Sequence, residues 1–286
     1  MKIIESPREA FQAYNTFIPL ELKIRCINAL MKVGFEIVEV GSIVSPKVIP
    51  QLSDTLDVIK NLDFSGNHSR LMVLLVNKKG AQQISEIDEI TDICYPFPIS
   101  ESFAKRNLNS TIEICLETID DIRNISIKAN KTFILYISMA FGNPYGDEWN
   151  LEILSKWVEV FKNRGIRILP LSNVSLEVDA KKIAEVFSGL ISQFPEMEFG
   201  LHLHTSNDNW YEKVEAAYNN GCQWFDAVMK GIGGCPMTGK EMLGNLATEN
   251  LIQFLKIKNE IPSGFAYEAF IEAGKVASII YNNKNY

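Results

Sequence analysis

Eight short apolar or β-branched runs recur along this chain with helix-spaced segments between them, and that alternation constrains the fold more than any other feature. The runs are Lys2 to Glu5, Ile37 to Gly41, Leu71 to Val76, Ile93 to Tyr95, Phe133 to Ser138, Ile166 to Leu171, Phe199 to His204 and Trp224 to Val228. They read as strands covered on both faces, because near-continuous apolar runs mark a sheet with helices on either side. Between them, Leu20 to Val33, Val48 to Leu62, Ser110 to Lys128, Leu151 to Asn163, Ala180 to Gln193 and Trp210 to Asn219 carry apolar residues three and four apart. That spacing gives each helix one face to pack on a sheet; a further helix near Ala81 to Ile90 is weakly marked. The repeat predicts a parallel (β/α)8 barrel, a TIM barrel, with a doubly wound open sheet as its competitor. Thr248 to Lys258 and Ala266 to Tyr281 add two helices. One domain is expected over 1–286, with the barrel running to about residue 258 and a C-terminal helical cap over 259–286.

Polar residues that follow the strand ends favour the barrel: Arg8, Glu9, Ser42, Asn77, Tyr145, Asn173, His204 and the stretch Gly231 to Cys235. In a barrel these ends converge on one mouth, where chemistry is carried out. A hydrophobic content of 47% in 286 residues is enough to fill the core. The net charge of -7 and pI near 5.2 exclude a nucleic-acid partner, which needs a basic face. The first residues lack a signal-peptide run, and apolar stretches such as Leu71 to Val76 are too short to span a bilayer, so no membrane association and a cytoplasmic location are expected. Cys26, Cys94, Cys115, Cys222 and Cys235 are odd in number with no C-x-x-C pair, which speaks for free thiols in a reducing compartment.

His202-Leu203-His204 holds two of the three histidines. On a strand, side chains at i and i+2 share a face, so both imidazoles can meet one ion; two rim histidines satisfied by backbone groups are the plainer reading. His68 sits in a surface turn, Ser65 to His68, which excludes a three-histidine zinc site. Oxygen ligands must complete any shell, and that suits Mg2+ or Mn2+. Gly231-Ile232-Gly233-Gly234-Cys235-Pro236 is too rich in glycine for strand or helix. It reads either as a plain turn or as a mobile loop whose Cys235 thiol closes over a substrate.

Several segments together resemble the 3-hydroxy-3-methylglutaryl-CoA lyases, members of the metal-dependent lyase barrels that also include isopropylmalate and citramalate synthases. Glu5-Ser6-Pro7-Arg8-Glu9-Ala10-Phe11-Gln12 is similar to that family's E-x-P-R-D-x-x-Q opening. Val38-Glu39-Val40-Gly41-Ser42-Ile43-Val44-Ser45-Pro46-Lys47 with Pro50-Gln51 resembles its glutamate-and-serine segment. Ser100-Glu101, Lys105-Arg106-Asn107, Gly142-Asn143-Pro144-Tyr145, His202-x-His204, the Gly-Gly-Cys-Pro loop and Gly244 to Glu249 follow in the family's order.

The resemblance implies a lyase that cleaves a 3-hydroxy-3-methylglutaryl-CoA-like thioester to acetoacetate and acetyl-CoA by a retro-Claisen reaction. It implies a divalent cation, Mg2+ or Mn2+, on Glu9, His202, His204 and Asn245. Arg8, Glu39, His202 and Cys235 take catalytic roles, with Arg8 beside the thioester carbonyl and Cys235 a proton donor or relay. Gln12, Ser42, Tyr145 and Asn173 contact the acyl-CoA substrate, and the protein is a homodimer. Lys47, Lys105 and Arg106 are placed to reach coenzyme A phosphates. Two departures stand out. Glu9 replaces an aspartate, which moves the carboxylate by up to about 1.5 Å. Leu171-Ser172-Asn173-Val174-Ser175-Leu176 stands where the family carries L-x-D-T-I-G-V; the acid there is read as replaced by Ser172 and the glycine by Ser175. These keep open a non-catalytic or altered acyl-CoA-binding paralogue. A condensing enzyme acting on acetyl-CoA and a 2-oxo acid is the other alternative, disfavoured because such enzymes carry extra C-terminal regions.

Overall fold

The structure, a computed structural model, describes residues 1–174, 176–234 and 243–281, apart from the side chain of Asn107. Its strands are β1 (Lys2–Glu5), β2 (Ile37–Ile43), β3 (Arg70–Leu75), β4 (Asp92–Pro98), β5 (Thr132–Ser138), β6 (Ile168–Ser172), β7 (Glu198–His202) and β8 (Trp224–Ala227). Each pairs in parallel with the next, and β8 returns to β1 through Lys2↔Trp224 to Glu5↔Ala227, closing the barrel and excluding the open sheet.

Alternation along each strand divides the apolar residues between two layers. Ile4, Ile37, Met72, Cys94, Ile134, Tyr136 and Trp224 cluster in the lumen. Their neighbours, Ile3, Val38, Leu71, Val73, Ile93, Leu135 and Ile137, face outward into one continuous core shared with the helices. A TIM barrel is filled in this way, and each such Ile or Val gains about 1.5–3 kcal/mol from burial.

The helices are α1 (Pro7–Phe11), α2 (Leu20–Met31), α3 (Thr55–Lys60), α4 (Lys78–Ser85), α5 (Glu101–Asn107), α6 (Ile112–Lys128), α7 (Leu151–Asn163), α8 (Ala180–Gln193), α9 (Trp210–Asn219), α10 (Thr248–Lys258) and α11 (Tyr267–Tyr281). In α7, Leu154, Val158 and Phe161 form the buried stripe, and the Asn150 side chain caps the start by accepting from Ile153 N at 2.8 Å. Such a cap is worth about 1 kcal/mol.

Two helical expectations needed correction. The segment expected as one helix over 48–62 is a 3-10 turn at Pro50–Leu52 followed by α3. The Gln51 side chain is committed there to Ile18 N and to the carbonyls of Tyr14 and Thr16. The weakly marked helix begins earlier, at Lys78, because Asn77 caps it through Gly80 N. The short helices α1 and α5 were not expected. α11 lies alongside α2, with Tyr14 donating to the Tyr281 carbonyl at 3.1 Å. No helix among the described residues is long and apolar enough to cross a membrane.

A candidate metal centre at the carboxyl end of the barrel

β1 gives way at once to α1. Pro7 takes the first helical position, where its missing N–H costs nothing, and this single turn carries Arg8 and Glu9 onto the barrel axis, both buried. Gln12, one turn further, touches both: it accepts from Arg8 Nη1 at 3.2 Å and donates to Glu9 Oε2 at 3.1 Å.

β2 supplies the next groups through an irregularity. Its register against β3 runs Glu39↔Met72 and then Gly41↔Val73, so Val40 is an extra residue. Simple alternation would send Glu39 and Ser42 to opposite faces. The bulge restores Ser42 to the inside, and both serve the mouth. Gly41 then faces α3, where a Cβ would lie 2.5 Å from Thr55 Cγ2.

Arg8 is gripped from two sides. Nη1 donates to Glu9 Oε1 at 2.5 Å, and Nη2 donates to Glu39 Oε1 and Oε2 at 2.7 and 2.9 Å. Burial opposes the guanidinium charge, yet the two carboxylates raise its pKa further. For Glu9, burial pushes the carboxyl up, but Arg8 and the two imidazoles hold it below its ordinary value. In Glu39 burial prevails over Arg8, and its carboxyl is raised.

β7 ends at His202, but the backbone stays extended to His204, and both imidazoles are buried with ring centroids 4.9 Å apart. His204 Nδ1 lies 3.2 Å from the Gly244 carbonyl, which can only accept, so Nδ1 carries the hydrogen and Nε2 is the open nitrogen. His202 Nδ1 lies 2.8 Å from Asp226 Oδ2, with the same consequence. Burial, with His202 beside it, lowers His204 to about 4 and keeps it neutral. Burial also presses on His202, but its bond to Asp226 and the charges of Asp226 and Glu9 raise it.

Glu9, His202 and His204 bring one ligand atom each within 4.8 Å of one another, a group that could hold a metal ion. Two imidazoles whose Nδ1 atoms are engaged by Gly244 O and Asp226, which leaves both Nε2 atoms open, together with a carboxylate held toward ionisation, suit a divalent cation, so the residues present fit one. The longer acid at position 9 remains within the cluster. Asn245 is buried nearby; its Nδ2 donates to Ile232 O at 2.9 Å, which leaves Oδ1 as the atom able to ligate. Gly233, at φ +112°, lies between the two: a Cβ there would sit 2.5 Å from Glu9 O and 2.8 Å from Asn245 Nδ2. The expected mobile loop is therefore, over Gly231–Gly234, a spacer packed against the centre. Cys235 lies outside the described residues.

The cluster opens into a cavity of about 530 Å³. Gln12 and Ser42 line it, as expected, with Tyr136, Ser138 and Ser172. Val44, Val48, Leu74, Val76, Phe103, Leu108 and Ile114 add apolar lining, interspersed with Ser45, Asn77, Ser110 and Thr118. The Ser42 hydroxyl is buried with no hydrogen-bond partner among the described residues. Two expected substrate contacts are not brought to the cavity wall. Tyr145, partly exposed, packs 6.1 Å from the Phe103 ring and 5.4 Å from the Arg106 guanidinium. Asn173 is fully buried, and its amide is spent on the backbone of Leu176 and His204. Lys47, Lys105 and Arg106 are exposed.

Sequence reasoning missed Tyr136 and Asp226. Tyr136 meets the His202 ring edge-on at 5.7 Å and lines the cavity. Asp226 had a legible signal, since an acid inside a buried strand must have a partner.

A family model described as HMGL-like matches residues 2–277. The hydroxymethylglutaryl-CoA lyase of Bacillus subtilis (strain 168) is 29% identical over 269 residues, covering 94% of this chain and 89% of that protein. A crystal structure of a B. subtilis HMG-CoA lyase superposes with a TM-score of 0.89 at 28% identity, covering 98% and 93% of the two chains. An HMG-CoA lyase from Acinetobacter baumannii, in complex with coenzyme A and 3-methylmalate, gives 0.88 at 26% identity over 98% and 91%.

Proposed function

The chain belongs to the HMGL-like family, and from that premise we propose that it is a carbon-carbon lyase cleaving 3-hydroxy-3-methylglutaryl-CoA to acetoacetate and acetyl-CoA. The observation that carries this reading is the meeting of Glu9, His202 and His204 within 4.8 Å of one another, in the lining of a cavity that also carries apolar side chains.

Glu9, His202, His204 and the Asn245 Oδ1 hold a divalent cation, Mg2+ or Mn2+. Such a cation supplies Lewis acidity, offsetting negative charge on the substrate's oxygens. The reaction moves one proton and one electron pair: the tertiary hydroxyl passes its proton to a carboxylate or imidazole of the cluster, the bond between C2 and C3 breaks, its electrons pass to the thioester as an enolate, and the proton held by that base returns to the group that protonates the enolate. That enolate is then protonated at carbon to give acetyl-CoA.

Arg8 offsets the enolate charge, since Glu9 and Glu39 fix its guanidinium beforehand and no reorganisation is needed as the charge appears. Glu39 holds the Arg8 guanidinium through both of its oxygens, and burial raises its carboxyl above the ordinary value. Asp226 keeps the His202 ring oriented through Nδ1. The Ser42 hydroxyl and the Gln12 amide position the acyl group's oxygens, and Tyr136 closes the wall opposite them. We assign the protonation at carbon to Cys235. The exposed Lys47, Lys105 and Arg106 serve the coenzyme A phosphates.

We further infer a homodimer and a cytoplasmic location. Tyr267, Ile271 and Ile279, exposed along α11, support the first, to be checked by sedimentation. The free thiols of Cys26, Cys94, Cys115 and Cys222 support the second.

The test is direct. With Mn2+ or Mg2+, the purified protein releases acetoacetate and acetyl-CoA in equal amounts from the thioester, and His202→Ala abolishes the release. No release with any divalent cation overturns the lyase reading.

A further inference from the structure

β7 stops pairing with β6 at Ser172↔His202, two residues before His204. Beyond its last ladder bond a strand end frays unless another group satisfies its peptides. Here one side chain takes over. Asn173 Oδ1 accepts from His204 N at 2.8 Å while Nδ2 donates to His204 O at 2.9 Å, so a single amide grips both polar groups of the histidine's backbone. The second hydrogen of Nδ2 goes to Leu176 O at 2.7 Å, tying the clamp to the loop that follows β6. Asn173 has no exposed surface.

We propose that Asn173 is a positioning residue that sets His204 in place for the divalent cation through the mixed donor and acceptor character of its amide. The proposal rests on the metal-centre reading given above. Its physical content is that fixing the His204 peptide fixes the direction of its Cα–Cβ bond. Among the described residues, the longer Nδ1 contact to Gly244 O and the edge-on His202 ring then set the imidazole. Ligand geometry must hold to within about 0.5 Å to be productive, so a loosened peptide costs affinity even with the imidazole present. An aspartate in this position accepts from His204 N but donates to neither carbonyl, and its charge repels both. Asparagine therefore serves the His204 peptide where an acid could not.

The experiment is Mn2+ titration followed by electron paramagnetic resonance on the full chain without thioester, using Asn173→Asp, Asn173→Ala, His204→Ala and Asn173→Ala/His204→Ala. Both Asn173 variants are expected to bind Mn2+ about 10- to 100-fold more weakly, the usual loss when a group orienting a ligand is removed. In the His204→Ala background the Asn173→Ala loss disappears, because the clamp acts only through that imidazole. Hydrogen exchange on the wild-type chain gives a check that needs no variant: the His204 amide exchanges slowly. Wild-type binding with unchanged affinity in the variants, an undiminished loss in the His204→Ala background, fast exchange, or an Asn173→Asp chain that binds Mn2+ more tightly each overturns the clamp alone. A wild-type chain that binds no Mn2+ overturns the metal-centre reading itself and the clamp with it.

Discussion

Arg8 is the residue around which the site is electrically organised, because one buried guanidinium faces two carboxylates that it must keep apart in role. Glu9 is pulled toward ionisation and Glu39 toward neutrality, although both touch the same cation. The length of Glu9 matters here: its two oxygens reach Arg8 and Gln12 while the carboxylate stays among the imidazoles. Glu9→Asp draws the carboxylate back by about 1.5 Å, so we expect Mn2+ affinity by calorimetry to drop about tenfold; tighter binding would show that the pocket is not fitted to the longer acid. Glu5 makes a separate prediction. Its carboxyl is fully buried between the Met229 amide and the Thr248 hydroxyl, and burial pushes it up from 4.5 to about 8. A folded-state pKa above the unfolded one means that the folded chain binds the extra proton. The associated stability is therefore complete below about pH 4.5, declines as pH rises toward 8 and is lost above it. Urea unfolding of wild type and Glu5→Gln at pH 5, 6.5 and 8 should show the wild type losing a few kcal/mol relative to the variant, at about 1.4 kcal/mol per pH unit. A difference that does not change with pH would mean that Glu5 is ionised throughout.

At the scale of elements, the site depends on places where regular structure is interrupted. The extra residue in β2 brings Glu39 and Ser42 to the same face, α1 inserts Arg8 and Glu9 immediately after β1, and the glycines after β8 bring Asn245 beside Glu9. The packed spacer can be tested at Gly233. Gly233→Ala places a methyl against the Glu9 carbonyl and requires a left-handed backbone that alanine rarely adopts, so neither partner can yield cheaply. Mn2+ affinity is expected to fall by at least about tenfold while the far-ultraviolet circular dichroism stays that of the wild type. Unaltered affinity would remove Gly233 from the account of the site. These interruptions were the least legible parts of the chain. A strand's period of two is read from side-chain types alone, but the bulge at Val40 depends on how β2 meets β3 and Thr55. Asn173 shows the same limit: its residue type announced a polar role, and only the approach of β7 decided that the partner is a peptide rather than a substrate.

For the whole molecule, the centre joins residues from both ends of the chain: Glu9 follows β1, the imidazoles close β7, and Asn245 follows β8. A cation held by them binds the folded state alone, so it should raise the melting temperature in proportion to the logarithm of its concentration. At a hundredfold excess over Kd the gain is about 2.7 kcal/mol, read by calorimetry with Mn2+ and reversed by chelator. A melting temperature indifferent to both would separate the fold from any ion. The sequence by itself determined the eightfold strand-helix repeat and the candidates for the acid and the two imidazoles, because hydrophobic periodicity and residue chemistry are local properties written one residue at a time. The tertiary structure alone decided that Asp226 holds His202, that Asn173 holds His204, that Tyr145 packs on Phe103, and that Tyr136 lines the cavity. Each of these is a contact between strands or loops far apart in the chain, fixed by barrel closure and register rather than by any spacing along the sequence.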